Sequence, residues 1–99
     1  MGNEFQQEYF EMMATLAVNL STIQVEIIEQ SYNNQAFGSW WFIYKKGGSN
    51  YRIVFDGQDQ MLRCESQVGS NWETDMEIRN ESNDKLISNI LLLIQTHSK

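Results

Sequence analysis

Apolar and polar residues alternate in short runs between Gly38 and Arg79, and turn signals separate the runs. This pattern is typical of antiparallel strands. The runs Trp40–Lys45 and Tyr51–Asp56 flank Gly47-Gly48, a pair that can supply the positive φ angles of a tight hairpin turn. With that turn, one face carries six large side chains, in the opposed pairs Trp40 with Phe55, Phe42 with Ile53, and Tyr44 with Tyr51.

The second turn follows Asp56. A two-residue loop would oppose Arg52 and Arg63, whereas a four-residue loop over 57–60 opposes Arg52 and Glu65. Like charges directly opposite each other are destabilising, so we predict the longer loop. The strand that follows, Met61–Ser66, then continues the sheet.

The final run, Trp72–Arg79, has the clearest alternation in the chain. Its apolar or neutral positions are Trp72, Thr74, Met76 and Ile78. Its charged positions are Glu73, Asp75, Glu77 and Arg79. The pattern predicts a half-buried strand that carries a row of three acids on its solvent side.

Helical patterns lie at both ends of the chain. Apolar residues from Phe5 to Leu20 recur at spacings of three and four, and Asn3 can cap that helix. A second helix is predicted near Leu86, with Ser82 or Asn83 as its cap. Both helices are expected to cover the aromatic side of the sheet.

The segment Ser21–Gln30 fits two periods, so it could be an extension of the first helix or a strand. Its β-branched residues favour a strand that begins near Thr22. Tyr32–Gly38 is predicted to be a loop. The expected fold is a single α+β domain over residues 1–99, with an N-terminal helix, an antiparallel meander of four or five strands and a C-terminal helix.

The amino-acid composition restricts the class of partner and the cellular compartment that we expect for this chain. The formal net charge of −6 and the scattered basic residues argue against nucleic acid and favour a basic protein partner. A single cysteine excludes an internal disulfide and favours the reducing cytoplasm. Ile90–Ile94, the longest apolar run, is too short for a membrane helix, and no signal peptide is apparent. The chain could be a monomer or a homodimer.

No catalytic or metal-binding motif accompanies this pattern. His97 is the only histidine, and Cys64 shares strand parity with Leu62, which predicts a buried thiol with little reactivity. We therefore expect no enzyme activity, no metal and no cofactor. The acidic row formed by Glu73, Asp75 and Glu77 is interpreted as a solvated or protein-binding face.

Trp41 is the residue that the predicted fold explains least. If its neighbours in sequence point into the core, Trp41 and Ile43 point to the other side of the sheet, beside Arg52 and Val54. Either the N-terminal helix or a loop covers this patch, or Trp41 anchors a protein partner.

Three segments resemble a known class of proteins: Phe37-Gly38-Ser39-Trp40-Trp41, Tyr51 to Asp59 with its Asp-Gly turn, and Trp72. The pattern resembles small acidic immunity proteins of bacterial polymorphic and contact-dependent growth-inhibition toxin systems. The resemblance implies a cytoplasmic antitoxin that occludes the active site of one cognate toxin domain, often a nuclease. A small acidic secretion chaperone that binds an effector segment is the alternative. The expected contact residues are Trp41, Asp56, Asp59, Glu73, Asp75 and Glu77.

Overall fold

The computed structural model describes residues 3–33, 39–79 and 85–97, with side chains for 9–32, 39–79 and 85–96. These residues form an α+β fold in which the chain order is helix, five strands, helix. The predicted fold class is therefore confirmed. The elements are α1 (Asn3–Ser21), β1 (Glu26–Asn33), β2 (Ser39–Lys46), β3 (Ser49–Asp56), β4 (Met61–Val68), β5 (Asn71–Arg79) and α2 (Leu86–His97).

The five strands form one antiparallel sheet in sequence order, a meander. The predicted hairpin of β2 and β3 is confirmed, including its register, since Trp40 pairs with Phe55 and Tyr44 with Tyr51. Gly47 and Gly48 have φ angles of 60° and 84°. Two successive positive φ angles match the twist of a two-residue hairpin, which explains why this position carries a glycine pair.

The four-residue loop before β4 is also confirmed, because Asp56 pairs with Met61 and Arg52 with Glu65. The Oδ1 atom of Asp56 accepts hydrogen bonds from the backbone N–H groups of Gln58 at 3.0 Å and Asp59 at 3.3 Å. An aspartate at this position thus satisfies two loop donors that have no strand partner.

The ambiguous segment after α1 resolves as a turn followed by a strand. The backbone carbonyl of Leu20 accepts hydrogen bonds from the N–H groups of Ile23 at 3.1 Å and Val25 at 3.0 Å, and Gln24 has a φ of 60°. These contacts end the helix. The predicted strand exists, but it begins at Glu26 rather than near Thr22, so the extended helix is wrong.

β1 also continues further than the sequence predicts. Tyr32 and Asn33, which were expected in a loop, pair with Trp40 and Ser39 of β2. The ring of Tyr32 packs against that of Tyr9 with a centroid distance of 4.8 Å, so burial against α1 overrides the turn tendency of this segment. The rest of the predicted loop, residues 34–38, lies outside the described residues, as do the predicted caps Ser82 and Asn83.

Both helices pack on the aromatic side of the sheet, as predicted. α1 lies against β1, α2 lies against β4, and the helices also contact each other. Neither described helix is both long and apolar enough to cross a membrane. The buried core is built from both helices and the central strands: Tyr9, Met12, Met13, Leu16 and Leu20 of α1, Ile90, Leu93 and Ile94 of α2, and Trp40, Phe42, Tyr44, Ile53, Phe55, Leu62 and Cys64 of the sheet.

A β-bulge in β5 overturns the predicted alternation of that strand. The pairing of β4 with β5 shifts by one residue between Cys64 opposite Met76 and Glu65 opposite Thr74, which leaves Asp75 as the extra residue. A bulge inserts one unpaired residue and reverses the side on which the following side chains project. The expectation that Trp72 and Thr74 share a face with Met76 and Ile78 is therefore wrong.

Candidate protein-binding surface

The sheet has one face on which neither helix packs. We call this surface the open face and define it by the side chains that alternate with the core residues of the three central strands, together with their partners on β5. Most of these side chains are partly exposed, which is expected for a sheet surface on which none of the described elements packs. Its central part consists of Trp41, Ile43, Arg52, Val54, Arg63, Glu65, Trp72, Thr74 and Glu77.

An arginine-centred cluster occupies the middle of the open face. The Nε atom of Arg52 donates a hydrogen bond to Oε1 of Glu65 at 2.6 Å, and the two groups form an ion pair. The Cζ atom of Arg52 lies 4.5 Å from the centroid of the Trp72 ring, a cation–π contact. Arg52 therefore reaches across β4, and its guanidinium group is held by the ion pair at Nε and by the ring of Trp72 near Cζ.

Glu65 supplies the negative charge of this cluster and connects Arg52 to Thr74. It is only 7% exposed, and its Oε2 atom accepts a hydrogen bond from Oγ1 of Thr74 at 3.3 Å. A buried carboxylate is tolerated when it is paired and hydrogen-bonded, and here Arg52 and Thr74 satisfy both oxygens. The bulge at Asp75 makes this arrangement possible, because it places Thr74 and Trp72 on the open face.

Trp41 lies beside this cluster and remains partly exposed. It pairs with Val54, while its strand neighbour Ile43 pairs with Arg52. α1 packs on the other side of the sheet, so the expectation that the N-terminal helix covers Trp41 is wrong. The result is a patch of large apolar side chains next to a fixed guanidinium group.

The open face is close to neutral in charge. Arg52 and Arg63 are matched by Glu65 and Glu77, and Glu77 pairs with Arg63 in register. The Nε atom of Arg63 is shielded from solvent and has no hydrogen-bond partner among the described residues. The excess acid that gives the chain its net charge of −6 therefore lies away from this face.

The structure brings together only part of the predicted contact set. Trp41 and Glu77 share the open face, but they lie in one cross-strand row three strand spacings apart, about 14 Å. Asp56 ends β3 at the edge of the same face, and Asp59 lies in the adjoining turn, where its backbone carbonyl accepts a hydrogen bond from Arg79 at 3.2 Å.

Glu73 and Asp75 are placed on the side of the sheet that the helices cover. Glu73 pairs with Ser66, which alternates with the core residues of β4. The carboxylate of Asp75 accepts a hydrogen bond from the Oγ atom of Ser66. The predicted single acidic row is thus wrong, because the bulge separates these two residues from Glu77.

The role of Trp72 on the open face was missed, although the sequence contains a signal for it. Gly69-Ser70 forms a two-residue turn, which places Trp72 opposite Gln67. Core packing requires Ile78 opposite Leu62. The two registers differ by one residue, and only a bulge between them satisfies both.

The thiol of Cys64 is buried, as predicted, with a relative exposure of 0%. Its Sγ atom lies 3.8 Å from the hydroxyl oxygen of Tyr44. Burial raises the pKa of Cys64 to about 11, so the thiolate that would act as nucleophile is disfavoured at neutral pH. Among the described residues, no group of three His, Cys, Asp or Glu side chains could hold a metal ion, and the side chain of His97 lies outside them.

Comparisons with protein-family models, with curated proteins and with solved structures gave no match for this chain. The resemblance to immunity proteins therefore rests on the sequence segments that carry it, and what it implies stays a prediction.

Proposed function

We propose that this chain is a cytoplasmic binding protein that neutralises a cognate toxin domain, and that it contacts this basic protein partner through the open face. The observation that carries the proposal is the fixed Arg52 between Glu65 and Trp72, next to the partly exposed Trp41. Tryptophan and arginine are the residues most enriched in binding hot spots. The nature of the partner follows from the resemblance and from the charge of the chain.

A guanidinium group that is already held in place favours binding. Long charged side chains lose rotamer freedom when a partner orders them, and that loss weakens affinity. The ion pair with Glu65 and the stacking on Trp72 restrict Arg52 before a partner arrives. Arg63 adds an Nε donor that no described residue satisfies, so an acceptor on the partner would gain a hydrogen bond there if the side chain turns outward.

Net charge and the open face have separate roles in this proposal. A chain of net charge −6 attracts a basic partner at long range and speeds association, especially at low salt. The open face is close to neutral, so it contributes mainly to the lifetime of the complex through apolar contact and hydrogen bonds. We accordingly expect salt to slow association, and substitutions on the open face to accelerate dissociation.

Co-purification with the product of the adjacent gene tests the proposal. We expect a stable complex with the wild-type chain, and loss of the toxic activity of the partner in that complex. Trp41→Ala should weaken the complex by about thirtyfold, the effect of losing a hot-spot residue. Phe10→Ala is the matched control, because Phe10 is an aromatic residue on α1 that is 55% exposed and lies on the other side of the molecule.

Absence of a complex would reject the proposal, and so would equal weakening by Trp41→Ala and Phe10→Ala. Light scattering on the isolated chain addresses the alternative function. A stable homodimer would favour the secretion chaperone, which usually binds its effector as a dimer.

A further inference from the structure

Arg63 differs from Arg52, the other arginine in the central part of the open face, because no described residue pairs with it. Its Nε atom is shielded from solvent without a hydrogen-bond partner, and its guanidinium group forms no ion pair with any described residue. Arg52 is held by Glu65. Shielded donors in folded proteins are nearly always hydrogen-bonded, so an exception in the middle of a surface needs an explanation.

The acidic residues around Arg63 do not satisfy this donor. Glu77 stands opposite Arg63 in the pairing of β4 with β5, but it is exposed and makes no ion pair with Arg63. The two carboxylate oxygens of Glu65 already accept hydrogen bonds from Arg52 and Thr74. On β3 the residue opposite Arg63 is the apolar Val54. The strand neighbours of Arg63 therefore leave its Nε atom without an acceptor.

Arg63 lies within the surface that we propose as the partner contact. Trp41 pairs with Val54, and Val54 pairs with Arg63, so the three residues form one cross-strand row. Trp41 and Arg63 are thus two strand spacings apart, about 10 Å. A partner that covers Trp41 and its surroundings also removes water from Arg63. The guanidinium group then needs an acceptor on the partner, because a desolvated charge without one is strongly unfavourable.

A carboxylate is the acceptor that fits this position best. The Nε atom and one terminal nitrogen of an arginine form two parallel donors, which match the two oxygens of a carboxylate. The phosphates of a nucleic acid have similar geometry, but the net charge of −6 opposes a polyanion. A single acidic side chain on an otherwise basic protein partner meets both requirements.

We propose that Arg63 binds one aspartate or glutamate side chain of the partner, and that this contact determines which toxin domain the chain recognises. This inference rests on the proposed function. A cognate partner forms charge-assisted hydrogen bonds with Arg63. A basic partner that lacks the acid leaves the guanidinium group desolvated and unpaired, so the same residue discriminates against it.

The affinity of Arg63→Met for the product of the adjacent gene tests this contact, because methionine keeps an unbranched stem without charge or donors. We expect binding to weaken by about thirtyfold. Arg63→Lys keeps the charge but not the paired donors, and should weaken it by about tenfold. Lys85→Met is the matched control, since Lys85 is exposed, precedes α2 and carries the same charge. It should change affinity by less than about threefold.

A double-mutant cycle with the partner identifies the acid. Each aspartate or glutamate of the partner is replaced in turn by asparagine or glutamine. We expect one such variant to bind the wild-type chain about tenfold more weakly, and to bind Arg63→Met no more weakly than the unchanged partner does. If no acid of the partner is coupled to Arg63, the proposal is overturned.

Urea unfolding of the free chain separates a binding role from a structural one. No described residue pairs with Arg63, so Arg63→Met should leave the unfolding midpoint unchanged or raise it. A clearly lower midpoint would mean that Arg63 supports the fold, and would overturn the proposal. A complex that binds Arg63→Met at full affinity overturns this inference alone, whereas absence of any complex with the wild-type chain rejects the proposed function as well.

Discussion

The two faces of the sheet differ in what their side chains contact. On the covered face, Phe42, Ile53 and Leu62 are completely buried beneath the helices. On the open face, Trp41, Val54 and Trp72 keep part of their surface in water, and the deeply buried member is the charged Glu65. This difference indicates that the covered face stabilises the fold, while the open face provides apolar surface and oriented charge that a partner can bury.

The outer strands of the sheet differ from the central strands in the regularity of their pairing. The pairings of β2 with β3 and β3 with β4 are regular, whereas those of β1 with β2 and β4 with β5 each contain a register shift. Bulges and charged residues on outer strands oppose pairing with a further strand. A partner is therefore expected to bind the open face itself rather than to extend the sheet.

The largest difference between the faces should appear in stability. Phe42→Ala removes a ring that is 0% exposed, and its cavity should lower the free energy of unfolding by about 3–5 kcal/mol. Trp41→Ala should lower it by about 1 kcal/mol, because the ring of Trp41 already contacts solvent. Urea unfolding followed by circular dichroism measures both. Equal losses would contradict the division between the two faces.

The ion pair on the open face should have an intermediate effect. Glu65→Gln leaves the guanidinium of Arg52 without its charged partner, and we expect a loss of about 1.5–3 kcal/mol in the free energy of unfolding. Glu77→Gln, at an exposed position on the same face, should change stability by less than about 0.5 kcal/mol. A double-mutant cycle with Arg52→Gln isolates the pair energy, and a coupling near zero would show that Glu65 is stabilised by other contacts.

The dependence of stability on pH should reflect the covered face. Burial raises the pKa of Tyr9 to about 12 and that of Cys64 to about 11, above their ordinary values of 10.0 and 9.0. The folded chain then retains protons that the unfolded chain releases. The free energy of unfolding should be unaffected by these two groups below pH about 9 and should fall as the pH rises toward 12.

Unfolding midpoints in urea at pH about 8 and about 10.5 measure this effect. Burial also raises the pKa of Tyr44, so three buried groups contribute to the loss of stability at high pH. Cys64→Ala should reduce the loss between the two pH values, because it removes one of them. An unchanged loss in Cys64→Ala would mean that the thiol does not contribute.

The sequence predicts those parts of the fold in which turn chemistry and side-chain pattern agree. Gly47-Gly48 and the aromatic residues define one register, and the structure has that register. Charge opposition likewise predicts Arg52 opposite Glu65. Each of these predictions depends on two local signals that lead to the same pairing.

The open face could be predicted only in part, because the turn before β5 and the core packing of β5 indicate different strand registers. The turn at Gly69-Ser70 and the packing of Ile78 require different registers, and the bulge at Asp75 reconciles them. Simple alternation along β5 gives no sign of this, so the acidic row was predicted where the structure has Trp72 and Thr74. The cluster around Arg52 also needs a side chain that spans β4, a contact that strand pairing alone does not predict.

Affinity for the product of the adjacent gene, measured at physiological salt, tests most directly whether the open face is the binding surface. One variant is Trp72→Ala, and the other combines Glu73→Gln with Asp75→Asn, which removes two acids on the covered side. The double variant also changes the net charge from −6 to −4, an effect on association that physiological salt screens in part. We predict that Trp72→Ala weakens binding by about thirtyfold and that the double variant changes it by less than about threefold. Strong weakening by the double variant with full binding by Trp72→Ala would contradict the account.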